Sequence, residues 1–296
     1  MIELLNIVLR AVQTGAIYAS IAVGLNLTIG ATRIFNFAHG EAVMIGAMLG
    51  VILWSSAGLP VVLAAAVAVA AAALFGAVTD RVAVRPLGER AHTTAIVSTL
   101  AIALLLTSGF TEVIVQGSTG TDTRRFDSFL PWTETYSIGG VFITPDRLFP
   151  IVVLGLMLLF VRWFTKSTAP GRSLGALADD REAAAMRGIP VRSLQTMAFA
   201  VGAALAAIAG FAAGPVTQAS VAMGAALTIK GFVAAAIGGM PRISGAVAGG
   251  MALGAVEQFT VGYLDTGLQD PIVLIALVAL LYVRPQGILG QSYRVV

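Results

Sequence analysis

The sequence predicts an all-α protein that crosses a membrane with about eight to nine helices, some of them broken or re-entrant. Charged residues make up only 11% of the 296 residues, and hydrophobic residues make up 57%. The apolar residues stand in blocks without any Asp, Glu, Lys or Arg, among them Val61–Val78, Thr93–Thr111, Leu148–Val161 and Leu194–Ile229. A helix in water needs a polar face, so apolar blocks of about 18–20 residues are typical of helices surrounded by lipid.

The predicted spans follow one another along the whole chain. They are Val8–Ile29, Glu41–Ser55, Pro60–Thr79, His92–Val115, Leu148–Phe164, Leu194–Gly214, Leu227–Met240, Ile243–Tyr263 and Pro271–Val283. Two of them, Glu41–Ser55 and Leu227–Met240, would reach only about 20–24 Å, less than the ~30 Å hydrocarbon core. We interpret these two as broken or re-entrant segments. The N-terminus then lies outside if both cross the membrane, or inside if one does not.

The connections between the spans predict the orientation. Basic residues are concentrated in Asp80–His92, in Arg162–Arg192 and in the C-terminal tail, which places these segments in the cytoplasm. Acidic residues outnumber basic ones in Gln116–Arg147, which is therefore predicted to lie outside. The chain is predicted to form one membrane domain over residues 1–296, with a cytoplasmic loop at about 165–192 and an external loop at about 116–147.

Several function classes are disfavoured by the composition. The chain has no Cys, and its two histidines, His39 and His92, show no metal-ligand spacing. There is no phosphate-binding glycine loop followed by Lys and Ser or Thr, so any ATPase must be on another chain. The net charge of +3 comes from basic residues between the spans, which does not indicate nucleic-acid binding. No catalytic residue, metal site or cofactor is predicted.

Two glycine-interrupted segments predict an internal inverted repeat. They read Gly24-Leu-Asn-Leu-Thr-Ile-Gly30 and Gly224-Ala-Ala-Leu-Thr-Ile-Lys-Gly231, and further glycines, including Gly238 and Gly239, follow the second. Paired interruptions of this kind in two halves of a transporter indicate a pathway between them. The alternative is that Leu-Thr-Ile recurs by chance in an apolar sequence.

The first short span begins with the motif Asn36-Phe-Ala-His-Gly-Glu41. Asn36 can cap a helix N-terminus, and Glu41 falls in the first turn, where a carboxylate suits the helix dipole. Asn36, His39 and Glu41 are candidates for the pathway, because a buried helix start can hold a substrate carboxylate. The alternative is a polar cap at a helix break.

Charged residues inside spans are the other pathway candidates, because each is costly in lipid unless it is paired or hydrated. Lys230 and Glu257 fall in the second half of the chain. The two form a structural ion pair, or Lys230 faces the pathway or its gate.

The cytoplasmic loop contains Glu182-Ala-Ala-Ala-Met-Arg-Gly188. Helix propensity predicts a short helix over Leu174–Met186, with Gly188 at its end and Pro190 preventing its continuation. Such a helix either docks a partner protein or is a solvated connection.

This segment matches the E-A-A-x-x-x-G pattern of ABC importer permeases at Glu182, Ala183, Ala184 and Gly188, although the later I-x-L-P element is missing. Together with the Asn36 motif, Lys230–Gly239 and Arg284-Pro-Gln-Gly-Ile-Leu-Gly290, the chain resembles the H-type permease subunit of branched-chain amino-acid ABC importers over about residues 8–290.

The resemblance implies a multi-pass permease of the bacterial inner membrane that forms half of a translocation path. It implies a second homologous permease subunit, two cytoplasmic ATP-binding subunits and an external substrate-binding protein as partners. The implied cargo is Leu, Ile or Val, with urea or short-chain amides as an alternative. A stand-alone channel or secondary transporter is the other alternative, and it would need membrane carboxylates, of which Glu257 is the best candidate.

Overall fold

The computed structural model describes residues 2–87, 92–116, 123–124, 126, 128, 136–138 and 141–289. Its helices are α1 (Ile2–Thr32), α2 (His39–Gly50), α3 (Val61–Thr79), α4 (His92–Gln116), α5 (Pro145–Ser167), α6 (Ala169–Asp179), α7 (Arg181–Met186), α8 (Val191–Thr217), α9 (Met223–Gly238), α10 (Ile243–Tyr263) and α11 (Gln269–Val283). Short strands pair as β1 (Thr123–Arg124) with β4 (Ala219–Ser220), and as β2 (Tyr136–Ile138) with β3 (Val141–Ile143), both antiparallel.

The all-α membrane fold class is confirmed. Among the described residues, seven helices are long and apolar enough to cross a membrane, and there are up to eight if α9 and α10 together form one span. These two helices are bent by 114° at the break between them, as in a broken span or a re-entrant loop. The predicted external loop at about 116–147 lies largely outside the described residues.

The first short segment is longer than predicted. α2 begins at His39, and a π-helical turn, Val51–Ser56, continues it, so that the segment reaches 18 residues. A break at residues 33–38 separates it from α1. The second short segment, α9, has 16 residues and ends at the bend. The chain therefore leaves helical structure before both short segments, at residues 33–38 and 218–222, and it bends again after α9.

The helix pairs show the inverted repeat. α1 runs antiparallel to α8, since Gly24 packs against Gly202 and the Thr28 hydroxyl donates to the Ala198 carbonyl oxygen at 3.3 Å. Exchanging α1, α2 and α3 with α8, α9 and α10 turns the α1–α10 pair into α8–α3, and the α1–α9 pair into α8–α2. All of these pairs are in contact.

The sequence match that suggested the repeat is wrong in detail. The two Leu-Thr-Ile segments lie on α1 and α9, whereas the exchange relates α1 to α8 and α2 to α9. The tripeptide is apolar and β-branched, and such segments recur in spans without structural equivalence. The repeat lies in the order and direction of the helices.

The outer helices present apolar side chains to the surroundings. The exposed ones include Val62 and Leu74 on α3, Leu104 and Leu105 on α4, Leu156 and Leu159 on α5, and Ile275 and Val278 on α11. The core is formed mainly by α1, α2, α8, α9 and α10. An apolar exterior around a packed centre is what a lipid environment requires.

Candidate functional site

The N-terminal ends of α2 and α9 meet inside the bundle. A Cβ on Gly40 would overlap the Thr228 hydroxyl oxygen and the Gly224 carbonyl oxygen. A Cβ on Gly224 would lie 2.9 Å from the Gly40 carbonyl oxygen and 3.2 Å from Glu41 Oε2. The start of α2, which carries the pathway candidates His39 and Glu41, is thus in backbone contact with the start of α9.

The polar residues of the Asn36 motif lie just before and within this contact. The Asn36 side-chain oxygen accepts from the Ala38 amide at 3.0 Å, two residues away, so Asn36 shapes the turn that leads into α2. His39 is 1% exposed, and its Nε2 lies 3.3 Å from the Ile21 carbonyl oxygen on α1. A satisfied, buried histidine of this kind helps to fix α2 against α1.

Glu41 is the buried acid of this region. It is 3% exposed and lies beside Thr107 of α4. Its Oε2 atom has no hydrogen-bond partner among the described residues. Because the amides at the start of α2 and α9 carry partial positive charge, both helix ends favour a carboxylate at this position.

Lys230 and Glu257 form the predicted ion pair. Lys230 Nζ lies 2.6 Å from Glu257 Oε1 and 3.2 Å from Asp270 Oδ1, and it stands 5.6 Å from the centre of the Tyr18 ring. Glu257 is 1% exposed, whereas Asp270 is largely exposed. The cluster joins α9 to α10, α11 and α1.

Gly238 and Gly239 form the end of α9 and the turn into α10. A Cβ on Gly238 would overlap the Gly245 carbonyl oxygen, and Gly239 has a φ of 95°, which favours glycine. The amides of Ile288 and Leu289 donate to the carbonyl oxygens of Ile237 and Gly238 at 2.8 and 3.0 Å. The C-terminal segment thereby satisfies carbonyl groups at the end of α9.

The predicted helix over Leu174–Met186 is divided into α6 and α7, so this prediction is wrong. Asp180 between them is extended, and its side-chain oxygen accepts from the Ala183 amide at 2.9 Å. An aspartate at this position starts a new helix because it satisfies a free amide of the first turn. The predicted end is correct, since Gly188 follows α7 with a φ of 78°.

The E-A-A residues divide between the surface and the interior. Glu182 is exposed, Ala183 half-buried and Ala184 buried. Ala184 belongs to an apolar cluster that holds α7 against the bundle, together with Leu174, Leu177, Leu194, Phe164, Ala31 and Ala198. Next to α7 lies an open cleft of about 750 Å³, whose lining includes Arg81, Arg85, Arg192 and Ile189.

Asp80 is a residue that sequence reasoning passed over. It stands at the start of a basic connection, yet it is completely buried against α8 and bonded to Gln195 and Thr196. The available signal was a single acid beside Arg81 and Arg85 at the end of a span. Among the described residues, no group of three His, Cys, Asp or Glu is placed to hold a metal ion.

The apolar exterior, the helices long enough to cross a membrane and the inverted helix order are those of a multi-pass membrane permease. The family model described as "Branched-chain amino acid transport system / permease component" matches residues 7–283, and the chain belongs to this family.

Named relatives match nearly the whole chain. The high-affinity branched-chain amino acid transport system permease protein BraD of Pseudomonas aeruginosa is 30% identical over 95% of this chain and 94% of its own length. The corresponding LivH of Escherichia coli K12 is also 30% identical, with the same coverage. The probable branched-chain amino acid transport permease protein LivH of Methanocaldococcus jannaschii is 27% identical over 93% of this chain and 89% of its own length.

Proposed function

We propose that this chain is the permease subunit of an ABC importer for branched-chain amino acids. Residues 1–296 form a single membrane domain that pairs with a second homologous permease to enclose the pathway. Two ATP-binding subunits act at the cytoplasmic loop of about 165–192, and an external binding protein delivers the substrate to the opposite face. The chain itself performs no bond-making chemistry.

The observation that carries the proposal is the geometry of α7, which supports a docking role. Ala184 anchors the helix to the bundle, while Glu182 and Met186 remain exposed, Met186 at 83%. A short helix that is packed on one side and exposed on the other can bind a partner protein on its exposed side. It can then transmit the partner's movement to the bundle. In our proposal Glu182, Ala183, Ala184 and Gly188 make up this docking element.

The pathway is proposed to run beside the contact between α2 and α9, where Glu41 lies close to the start of α9 and Asn36 and His39 shape the start of α2. Backbone contact at Gly40 and Gly224 corresponds to a closed path, which separation of the two helices would open. Gly238 and Gly239 act in this scheme as the turn that orients α9. Lys230 and Glu257 hold α9 to its neighbours, so the Glu257 carboxylate serves in this scheme as one half of an ion pair.

Docking is tested by a pair of glycine variants in the reconstituted importer. Gly188→Val places a β-branched residue at a φ of 78°, a conformation that disfavours it, whereas a Cβ at Gly175 on α6 has nothing within 4 Å. We expect Gly188→Val to lose the copurifying ATPase and uptake while inserting normally, and Gly175→Val to keep both. Full ATPase association in Gly188→Val would contradict the docking role.

The substrate is tested by uptake of labelled leucine into proteoliposomes that contain the complete complex. We expect unlabelled isoleucine and valine to compete and urea to have no effect. Competition by urea or acetamide in place of isoleucine would assign the importer to amides. Uptake without ATP or any partner subunit would support the stand-alone channel.

A further inference from the structure

The buried acid at the end of α3 is fully engaged by side chains of α8. Asp80 opens the π-helical turn Asp80–Val84 that continues α3, and it is 0% exposed. Gln195 Nε2 donates to Asp80 Oδ1 at 2.7 Å, and the Thr196 hydroxyl donates to Oδ2 at 2.5 Å. Arg85 Nη2 lies 3.6 Å from the same Oδ2. A buried carboxylate is costly without such partners, so these contacts tie α3 firmly to α8.

The same glutamine reaches the E-A-A helix. Arg181, the first residue of α7, donates from Nη2 to Gln195 Oε1 at 3.1 Å. The Gln195 amide thus accepts from α7 with its oxygen and donates to α3 with its nitrogen. Arg181, Gln195 and Asp80 form a continuous hydrogen-bonded chain, and Thr196 holds the second oxygen of Asp80; we call these four residues the Asp80 relay.

The relay connects α7 to α3, two elements that belong to different apolar clusters although both pack against α8. Ala184 fixes α7 against α6 and the start of α8, whereas Asp80 lies at the end of α3, a helix with a lipid-exposed face. Beyond the relay, α8 packs against α1 and α2, and α2 contains Gly40 at the proposed pathway. A shift of α7 therefore reaches α8 through apolar packing and α3 through the polar contacts of the relay.

We propose that the Asp80 relay transmits the displacement of α7 to α3 and α8, and thereby couples ATP hydrolysis to opening of the pathway. Arg181, Gln195 and Asp80 are positioning residues, and they touch neither ATP nor substrate. The relay moves as a unit because separating its members would leave the buried Asp80 carboxylate and the buried Gln195 amide without hydrogen-bond partners. This inference rests on the proposed docking of the ATPase at α7.

The test measures substrate transported per ATP hydrolysed in the reconstituted complex. Arg181→Ala removes the outer link of the relay at a partly exposed position, and Thr196→Val removes one hydroxyl without changing the side-chain shape. We expect both variants to assemble with the ATPase and to hydrolyse ATP, while transport per ATP falls about tenfold, within the usual range of coupling between sites. Thr196→Ser, which keeps the hydroxyl, should restore the ratio.

Arg162→Ala is the matched control, since it removes an exposed arginine at the cytoplasmic end of α5. It should leave transport per ATP unchanged. Asp80→Asn keeps the shape of the side chain and removes its charge. If it folds, its effect should not add to that of Arg181→Ala, because both act through the same chain of bonds.

Normal transport per ATP in both Arg181→Ala and Thr196→Val would overturn the relay, as would an equal loss in Arg162→Ala. These outcomes are separable from failure of the docking proposal. If Gly188→Val releases the ATPase while Arg181→Ala transports normally, docking stands and the relay falls. If Gly188→Val retains the ATPase, the docking assignment itself has failed.

Discussion

Substituting Gly40 tests whether the contact between α2 and α9 is as close as the structure has it. An alanine Cβ at this position would overlap the Thr228 hydroxyl oxygen and the Gly224 carbonyl oxygen. The hydroxyl belongs to a side chain that can turn away, but the carbonyl is part of the α9 backbone. The two helices must therefore separate to admit the methyl group.

The loss of stability in Gly40→Ala depends on which atom the new methyl group overlaps. Overpacking a well-packed interior costs about 1–3 kcal/mol, and a main-chain obstacle places Gly40→Ala near the upper end, at about 3 kcal/mol. The matched control is Gly155→Ala on α5, where a Cβ meets nothing within 4 Å. There the better helix propensity of alanine should stabilise the protein by about 0.5–1 kcal/mol. The same glycine-to-alanine change should thus destabilise the protein at position 40 and stabilise it at position 155.

The assay is thermal unfolding of the purified protein in detergent, accompanied by uptake in proteoliposomes. Gly40→Ala should lower the unfolding temperature by several degrees and reduce uptake, whereas Gly155→Ala should raise the temperature slightly and leave uptake intact. Adding Thr228→Ala to Gly40→Ala removes only one of the two obstacles, so recovery should be partial. A Gly40→Ala protein as stable as the unsubstituted one would refute the close contact and the closed path that we infer from it.

Two further predictions concern the ion pair and the orientation of the chain. Lys230→Met should lower the free energy of unfolding by about 3–5 kcal/mol because it leaves Glu257 buried and uncompensated. Adding Glu257→Met should recover most of the loss. A double variant less stable than Lys230→Met alone would contradict this prediction. In the naturally Cys-free chain, Ser128→Cys should react with an impermeant thiol reagent added outside and Ser173→Cys should not. Equal labelling of the two from outside would reverse the orientation.

The spans could be predicted from the sequence because lipid imposes a constraint that acts residue by residue. Each predicted segment, from Val8–Ile29 to Pro271–Val283, overlaps helical structure, although the bounds differ by several residues. The pairing of Lys230 with Glu257 was also accessible, since charges within apolar segments need partners. These inferences use only local composition and the cost of charge in an apolar medium.

Contacts that depend on the path of the chain could not be predicted in the same way. The break at Asp180 arises because an aspartate side chain competes for backbone amides and can start a new helix in place of continuing the old one. The equivalence of α1 with α8 depends on helix direction, which the Leu-Thr-Ile match does not report. Glycine content indicated close packing, but it did not indicate that Gly238 meets Gly245.

The two buried carboxylates show why one site was noticed and the other missed. Asp80 directly follows α3, whereas Glu257 lies within α10, before that helix ends at Tyr263, and the inverted repeat relates these two helices. Each acid stands about one turn after a glycine that packs closely on a neighbouring helix. Gly76, before Asp80, packs on α8, and Gly254, before Glu257, packs on α1. Glu257 stood out because its surroundings in the sequence are apolar, whereas Asp80 precedes arginines and reads as a loop residue. The exchange of α3 with α10 therefore relates two buried acids that each stand about one turn after a closely packed glycine, so a charge in one half is best judged against its counterpart in the other.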